Sequence, residues 1–186
     1  SPNSTFHFTS GPLLPKEFIR LMFSLLILSE FAPLNCVHLP VNFEYSHDIR
    51  SIPTRVIVEG KIRYDNGIDL DEDTFYTQYA TPKALSEMTT EPPSVEEFLQ
   101  FYKRLCIDYD AVLSIHVASR LSDTVKNARA AAIKGADIFR QQRLQKNIGT
   151  PFQIRVLDSQ NISIGAGLLV IRAAELLESD ISFLKL

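Results

Sequence analysis

The stretch that decides the fold runs Ala111-Val-Leu-Ser-Ile-His-Val117, then Ala118-Ser-Arg-Leu-Ser-Asp-Thr124. It continues through Ala128 to Ala132 toward Lys146 and closes on Phe152-Gln-Ile-Arg-Val-Leu157. The first piece is a short, mostly apolar run of strand length, the pattern of a strand covered on both faces. Ser122 can cap the long helix that follows, Asn147 and Gly149 supply its stop, and Arg143 and Lys146 suit its negative end. The last piece is again a strand, closed by Asp158-Ser159. Strand, helix, strand in this order belongs to an α/β domain with parallel strands.

Reading outward, Ser94-Val-Glu-Glu97 is a capping box ahead of the apolar stripe Phe98, Phe101, Tyr102 and Leu105, which predicts a helix from about 95 to 105. Ile164 to Leu177 forms a last apolar helix. Upstream, Arg55-Val-Ile-Val-Glu-Gly-Lys-Ile-Arg-Tyr64 reads as a hairpin turning at Glu59-Gly60, its second arm ended by Asp65-Asn66-Gly67. Asp71, Glu72 and Asp73 stand where a helix through Phe75, Tyr76 and Tyr79 would begin, and Pro82 marks its end or a break. The expected fold class is α/β, a three-layer sandwich with a mostly parallel sheet.

Leu21 to Leu28 is strongly apolar but bracketed by Arg20 and Glu30. A membrane span needs about 20 apolar residues, so no span is expected here. The Ser-Glu-Phe-Ala-Pro that follows fits a signal cleavage site poorly. Pro15 could open a helix, and periodicity leaves open whether it runs on or gives way to a buried strand.

Composition narrows the classes. At 186 residues a single full core is feasible. With 45% hydrophobic and 22% charged residues, the chain is not wholly disordered. Nineteen basic residues against 22 acidic leave a net charge of -3, so there is no overall basic excess to grip nucleic acid. Cys36 and Cys106 lie far apart with no Cys-x-x-Cys, as in a reducing, cytoplasmic setting with both thiols buried.

Ligands of a parallel sheet sit in the loops after its strands' carboxyl ends, here 32–40, 86–94, 117–123 and 158–165. The histidines His7, His38, His47 and His116 have no metal spacing, and His116, inside a predicted strand, reads as a structural histidine. Gly165-Ala-Gly167 is only a partial glycine pattern, and no Gly-x-Ser-x-Gly elbow is present. With no nucleophile, base, metal or cofactor motif, an enzyme is not expected.

Hydroxyls remain. Thr89-Thr90-Glu91-Pro92-Pro93-Ser94 and Ala118-Ser119-Arg120-Leu121-Ser122-Asp123-Thr124 place them beside helix amino ends, a geometry that suits a small anion. Ser94 and Ser122 can serve equally as caps. Thr90 and Ser119 are not needed as caps.

Several of these segments, in order, resemble the DegV family of bacterial fatty-acid-binding proteins. They are Leu39-Pro-Val-Asn-Phe-Glu-Tyr-Ser-His-Asp-Ile-Arg-Ser-Ile-Pro53, the hairpin Val56 to Leu70, and Met88-Thr-Thr-Glu-Pro-Pro-Ser-Val-Glu-Glu-Phe98. Leu113-Ser-Ile-His-Val-Ala-Ser-Arg-Leu-Ser-Asp-Thr124 and Val156-Leu-Asp-Ser-Gln-Asn-Ile-Ser-Ile-Gly-Ala-Gly-Leu-Leu-Val170 complete the series. The resemblance implies the first, α/β domain of a protein that normally has two. It divides the chain into an extension, 1–24, and a DegV-like domain, 25–186, with the second family domain absent.

The resemblance further implies a carrier rather than a catalyst. In it a long-chain fatty acid lies in an apolar tunnel with its carboxylate held by Thr90 and Ser119, Thr89 and Ser122 standing beside them. The acid is then presented to a separate fatty-acid kinase. The chain also departs from the family pattern. The Thr-Asp-Ser of the family's first strand falls on Pro33, Leu34 and Asn35, and His38 replaces an aspartate. Glu91-Pro92 replaces Ser-Gln, Asp123 replaces glycine, and Gln145 to Pro151 looks like an insertion. These departures support an alternative expectation, a degenerate domain acting through self-association as a homodimer or through other protein contacts.

Overall fold

The computed structural model describes residues 19–24, 49–58, 60–64, 75–79 and 81–178. Their order is β1 (Ile19–Ser24), β2 (Arg50–Ser51), β3 (Arg55–Val58), β4 (Lys61–Tyr64), one π-helical turn (Phe75–Tyr79), α1 (Pro82–Glu87) and β5 (Thr89–Glu91). Then follow α2 (Val95–Leu105), β6 (Ala111–His116), α3 (Thr124–Gln145), β7 (Gln153–Asp158) and α4 (Ile164–Glu178). Strands β2-β1-β6-β7 form a sheet in which every pairing is parallel. Strands β4-β3-β5 form a second, antiparallel sheet.

All six residues of β6 are buried, and their alternation explains the layers. Ala111, Leu113 and Ile115 pack with Ala166, Val170, Ala173 and Ala174 of α4. Val112 packs on the other face with Phe98, Leu99 and Tyr102 of α2 and Ala128, Ala131 and Phe139 of α3. Helices thus cover both faces, the three-layer α/β architecture expected from the near-continuous apolar run. At Gly135 a Cβ would lie 2.2 Å from the Phe139 ring one turn on in the same helix and 2.7 Å from Leu99 of α2, so the residue leaves room for both.

Local signals explain most element ends. Ser94 and Glu97 form the capping box on α2 in both directions. Gly60 takes φ 71° between β3 and β4, and Asn147 takes φ 58° just past α3, where the Ile148 amide donates to the Arg143 carbonyl at 2.9 Å.

Residues 19–24 are strand, one of the two alternatives the sequence leaves open, because β1 pairs with β6 along its whole length and with β2 on its other edge. The sheet therefore begins at Ile19, upstream of the division expected between residues 24 and 25. The helix expected through Phe75 and Tyr79 is one turn, and Pro82 opens a new helix: Thr81 is extended before it and caps Ala84. Thr89–Glu91 is a strand rather than part of a loop.

Arg143 does more than complement a helix dipole. It is buried and donates through Nη1 to the carbonyls of Cys106 at 2.7 Å and Tyr109 at 2.8 Å, and through Nε to that of Thr150 at 2.7 Å. Its Nη2 pairs with the Asp110 carboxylate and the Thr150 hydroxyl.

Cys36, His7, His38, His47, Pro33 to Asn35, the 32–40 loop and the 71–73 acidic trio lie outside the described residues.

Candidate functional site

In the parallel sheet β2 lies on one side of β1 and β6 on the other, so the chain reverses direction across the sheet between β1 and β6. Ligands of open α/β sheets bind beyond the carboxyl ends of the strands at such a point. The residues after β6 and β7 therefore form the candidate site.

Two loops are laced together there. The Ala118 amide donates to the Asn161 carbonyl at 2.9 Å, and the Ser159 amide to the His116 carbonyl at 2.9 Å. The Asn161 amide and side-chain Nδ2 donate to the Ser159 hydroxyl and carbonyl at 3.1 and 2.7 Å. Gln160 and Ser163, neither of them glycine, sit at φ 52° and 55° in the same loop. That left-handed conformation is sparsely populated by L-residues and persists only where surrounding bonds hold it.

Ser119 is exposed and engages Asp158 twice: its amide donates to Oδ1 at 3.1 Å and its hydroxyl to Oδ2 at 2.6 Å. The Gln160 amide adds a third bond to Oδ1 at 2.9 Å. Desolvation acts to raise the Asp158 carboxyl, but the Ser119 hydroxyl, the two amides and the charge of Arg129 outweigh it, holding the group below the usual carboxylate range. Asp158 joins the candidate site although it is not among the residues the sequence singles out; its signal is the Asp-Ser pair that closes β7 and opens the 158–165 loop.

The other expected residues separate. Thr90 is half-buried on β5, opposite Val56 in register, and shares a face with an apolar cluster of Val56, Val58 and Phe75. Thr89 is exposed and, by strand alternation, faces away from Thr90, so the two do not act as a pair. Ser122 accepts from the Thr124 amide at 3.2 Å and lies 2.7 Å from the Thr124 hydroxyl, so its oxygen is engaged at the start of α3, although the N-cap position itself is held by Asp123 without a side-chain bond. The Thr90 and Ser119 segments are tied through α3, where Asn127 Nδ2 donates to the Pro93 carbonyl at 2.9 Å.

The charges of the departures are answered locally. Glu91 and Glu97 both lie 3.6 Å from Arg55, and Asp123 lies 3.5 Å from Lys126. His116 is fully buried, its Nε2 2.6 Å from the Ser114 hydroxyl, which also meets the Tyr102 hydroxyl at 2.9 Å. The Cys106 thiol is buried and pushed up by burial. Among the described residues no three His, Cys, Asp or Glu side chains gather as a metal site, and no helix is long and apolar enough to cross a membrane.

The comparisons agree with this architecture. Residues 37–186 match a family model described as "Uncharacterised protein, DegV family". A DegV domain-containing protein of Deinococcus radiodurans is 31% identical over 131 residues, 70% of this chain and 40% of that protein. Protein DegV of Bacillus subtilis is 29% identical over 147 residues, 78% of this chain and 46% of that one. The chain thus spans less than half the length of these relatives. A solved structure described as fatty acid binding of a DegV family protein from Thermus thermophilus matches at 27% identity and TM-score 0.61, covering 89% of this chain and 49% of that one. A crystal structure of DegV from Bacillus subtilis, described as a fatty acid binding protein, shares the fold at TM-score 0.67 and 23% identity over 89% of this chain and 49% of that one. With a family match across most of its length and the family's fold in its parallel sheet, the chain belongs to the DegV family.

Proposed function

We propose that this chain is a non-catalytic lipid-binding module that holds a long-chain fatty acid, its polar head at the loop hydroxyls beyond the parallel sheet. The observation that carries the reading is Ser119, exposed at the carboxyl end of β6 where α/β sheets place their ligands. Two exposed apolar residues on successive turns of α4, Ile164 and Leu168, offer surface to an acyl chain at the same end of the sheet. The Thermus thermophilus relative described as binding fatty acid supports the same ligand class.

Carriage rather than catalysis fits the chemistry of the pair. A carboxylate held below its usual range is a weak base and a poor match for activating the Ser119 hydroxyl as a nucleophile. Presentation of the bound acid to a fatty-acid kinase in the cytoplasm belongs to the same proposal and is carried by the family resemblance.

The test is direct titration of lipid-stripped protein with a long-chain fatty acid. Ser119→Ala and Thr90→Val are each expected to weaken binding by roughly 1–3 kcal/mol, the cost of removing one partner of a desolvated polar head. Ser86→Ala, whose hydroxyl only meets the Lys83 carbonyl on an exposed helix, should leave affinity unchanged. Equal affinities for all four proteins would contradict the site.

The exposure of Ile164 at 72% and Leu168 at 60% also favours a second reading, self-association through that face. Light scattering separates the two: a lipid-free monomer that takes up fatty acid supports the first, and a dimer with no lipid uptake the second.

A further inference from the structure

The long helix α3 turns one side to the core and another to solvent. Val125, Ala128, Ala131, Gly135, Phe139 and Arg143 are its buried side. Ala130, Ile133, Asp137, Arg140 and Leu144 are all exposed, Ile133 at 79% and Leu144 at 53%. Their spacing alternates between three and four residues. At about 3.6 residues per turn they fall in a strip roughly 80° wide, on the side away from the core. Single exposed apolar side chains are ordinary. This spacing, however, is that of a helix–helix seam, with apolar residues toward its ends and a charged pair in its middle.

The seam is complementary to itself when reversed. Two α3 helices laid antiparallel about a two-fold axis between residues 138 and 139 bring Ile133 against Leu144 of the second copy. The same register brings Asp137 against Arg140 of the second copy, and the axis repeats both contacts. Among the described residues neither Asp137 nor Arg140 makes a hydrogen bond or ion pair within its own chain, although they stand one turn apart. The lysines on this side of α3 are answered internally: Lys134 lies 3.4 Å from Glu96 and Lys126 lies 3.5 Å from Asp123. We propose that the exposed face of α3 is a docking surface for a second copy of this chain, with Asp137 set against Arg140 twice across the two-fold axis.

This surface lies apart from the candidate site. Helices α2 and α3 cover one face of the parallel sheet and α4, which carries Ile164 and Leu168, covers the other. The seam also runs away from the Ser119 loop, since α3 ends near Arg143, which is joined to Asp110 just ahead of β6. Association through α3 therefore leaves the loops after β6 and β7 open, and it depends on neither reading of the site given above. The strip from Ala130 to Leu144 is about 21 Å long, and one helix from each copy makes a contact at the small end of specific interfaces. The dimer is accordingly weak and forms as concentration rises.

The experiment is sedimentation velocity of the lipid-stripped full chain between about 5 and about 500 μM, a span suited to a small, weak contact. The unaltered chain should shift from monomer toward dimer across it. Asp137→Arg alone sets like charges together at both contacts, and so does Arg140→Asp alone; each should weaken the dimer at least about tenfold. An equimolar mixture of these two variants should recover association as a heterodimer, because both contacts then join a cation to a carboxylate. The double variant Asp137→Arg/Arg140→Asp exchanges the charges but keeps both pairs, and should dimerise like the unaltered chain. Recovery in either sample also shows that the altered chains are folded. A chain that is monomeric throughout would overturn the inference. So would a dimer indifferent to both single variants, or a mixture and a double variant that both stay dissociated. None of these results bears on lipid uptake, so the fatty-acid reading stands or falls separately.

Discussion

Arg143 is buried with donors on three carbonyls and its charge set against Asp110, so it joins the end of α3 to residues 106–110 and to Thr150. Replacing it by Met keeps much of the volume but removes the cation beside Asp110, whose carboxylate keeps the Thr150 hydroxyl, and takes the charged donor from those carbonyls. The expected cost is about 2–4 kcal/mol, from carbonyls that lose a charged donor. It would be read as a lower urea midpoint at unchanged slope; a loss under about 1 kcal/mol would show that water replaces the guanidinium cheaply. The sequence marks Arg143 only as a basic residue near a helix end. Of its partners, Cys106, Tyr109 and Asp110 lie 33 to 37 residues away in the chain, so no local pattern could name them. Asp158 escaped for the same reason: its bond to Ser119 spans 39 residues and exists only because β6 and β7 lie parallel and in register.

Elements were more legible where a local rule sufficed. The α2 start is a capping box in sequence and in structure, and Ser94→Ala should destabilise by about 1 kcal/mol at neutral pH. Burial acts to raise the Glu97 carboxyl, but the Ser94 hydroxyl and amide and the charge of Arg55 outweigh it and hold the group below its usual range. A depressed carboxyl stabilises the fold above its unfolded value and loses that contribution as pH falls through the folded one. The penalty of Ser94→Ala should therefore shrink as the medium is acidified below the carboxylate range, and a pH-independent penalty would contradict it. At the α2–α3 contact, Gly135→Ala should cost about 1–3 kcal/mol although alanine is the better helix former, because the added methyl meets Phe139 and Leu99. A stabilised Gly135→Ala protein would show that the two side chains move aside freely. β5 was not legible: three residues between α1 and two prolines are too few for alternation to show, and only pairing with β3 makes them a strand.

At the scale of the whole molecule, the parallel sheet follows from runs such as Ala111–His116, which are too apolar to face water on either side. That topology places Ser119 and Asp158 at one end and makes the candidate site a consequence of strand order. The hydroxyl residues were visible in the sequence as types and spacings, but their orientations were not: Thr89 turns from Thr90, and Ser122 is spent on α3. The account's central claim is that this end of the sheet holds a long-chain fatty acid. Native mass spectrometry of the full chain, as purified and again after lipid stripping and incubation with long-chain fatty acid, tests it most directly. The account predicts one fatty acid per chain in at least the reloaded sample; a chain that is empty as purified and stays empty after incubation would contradict it.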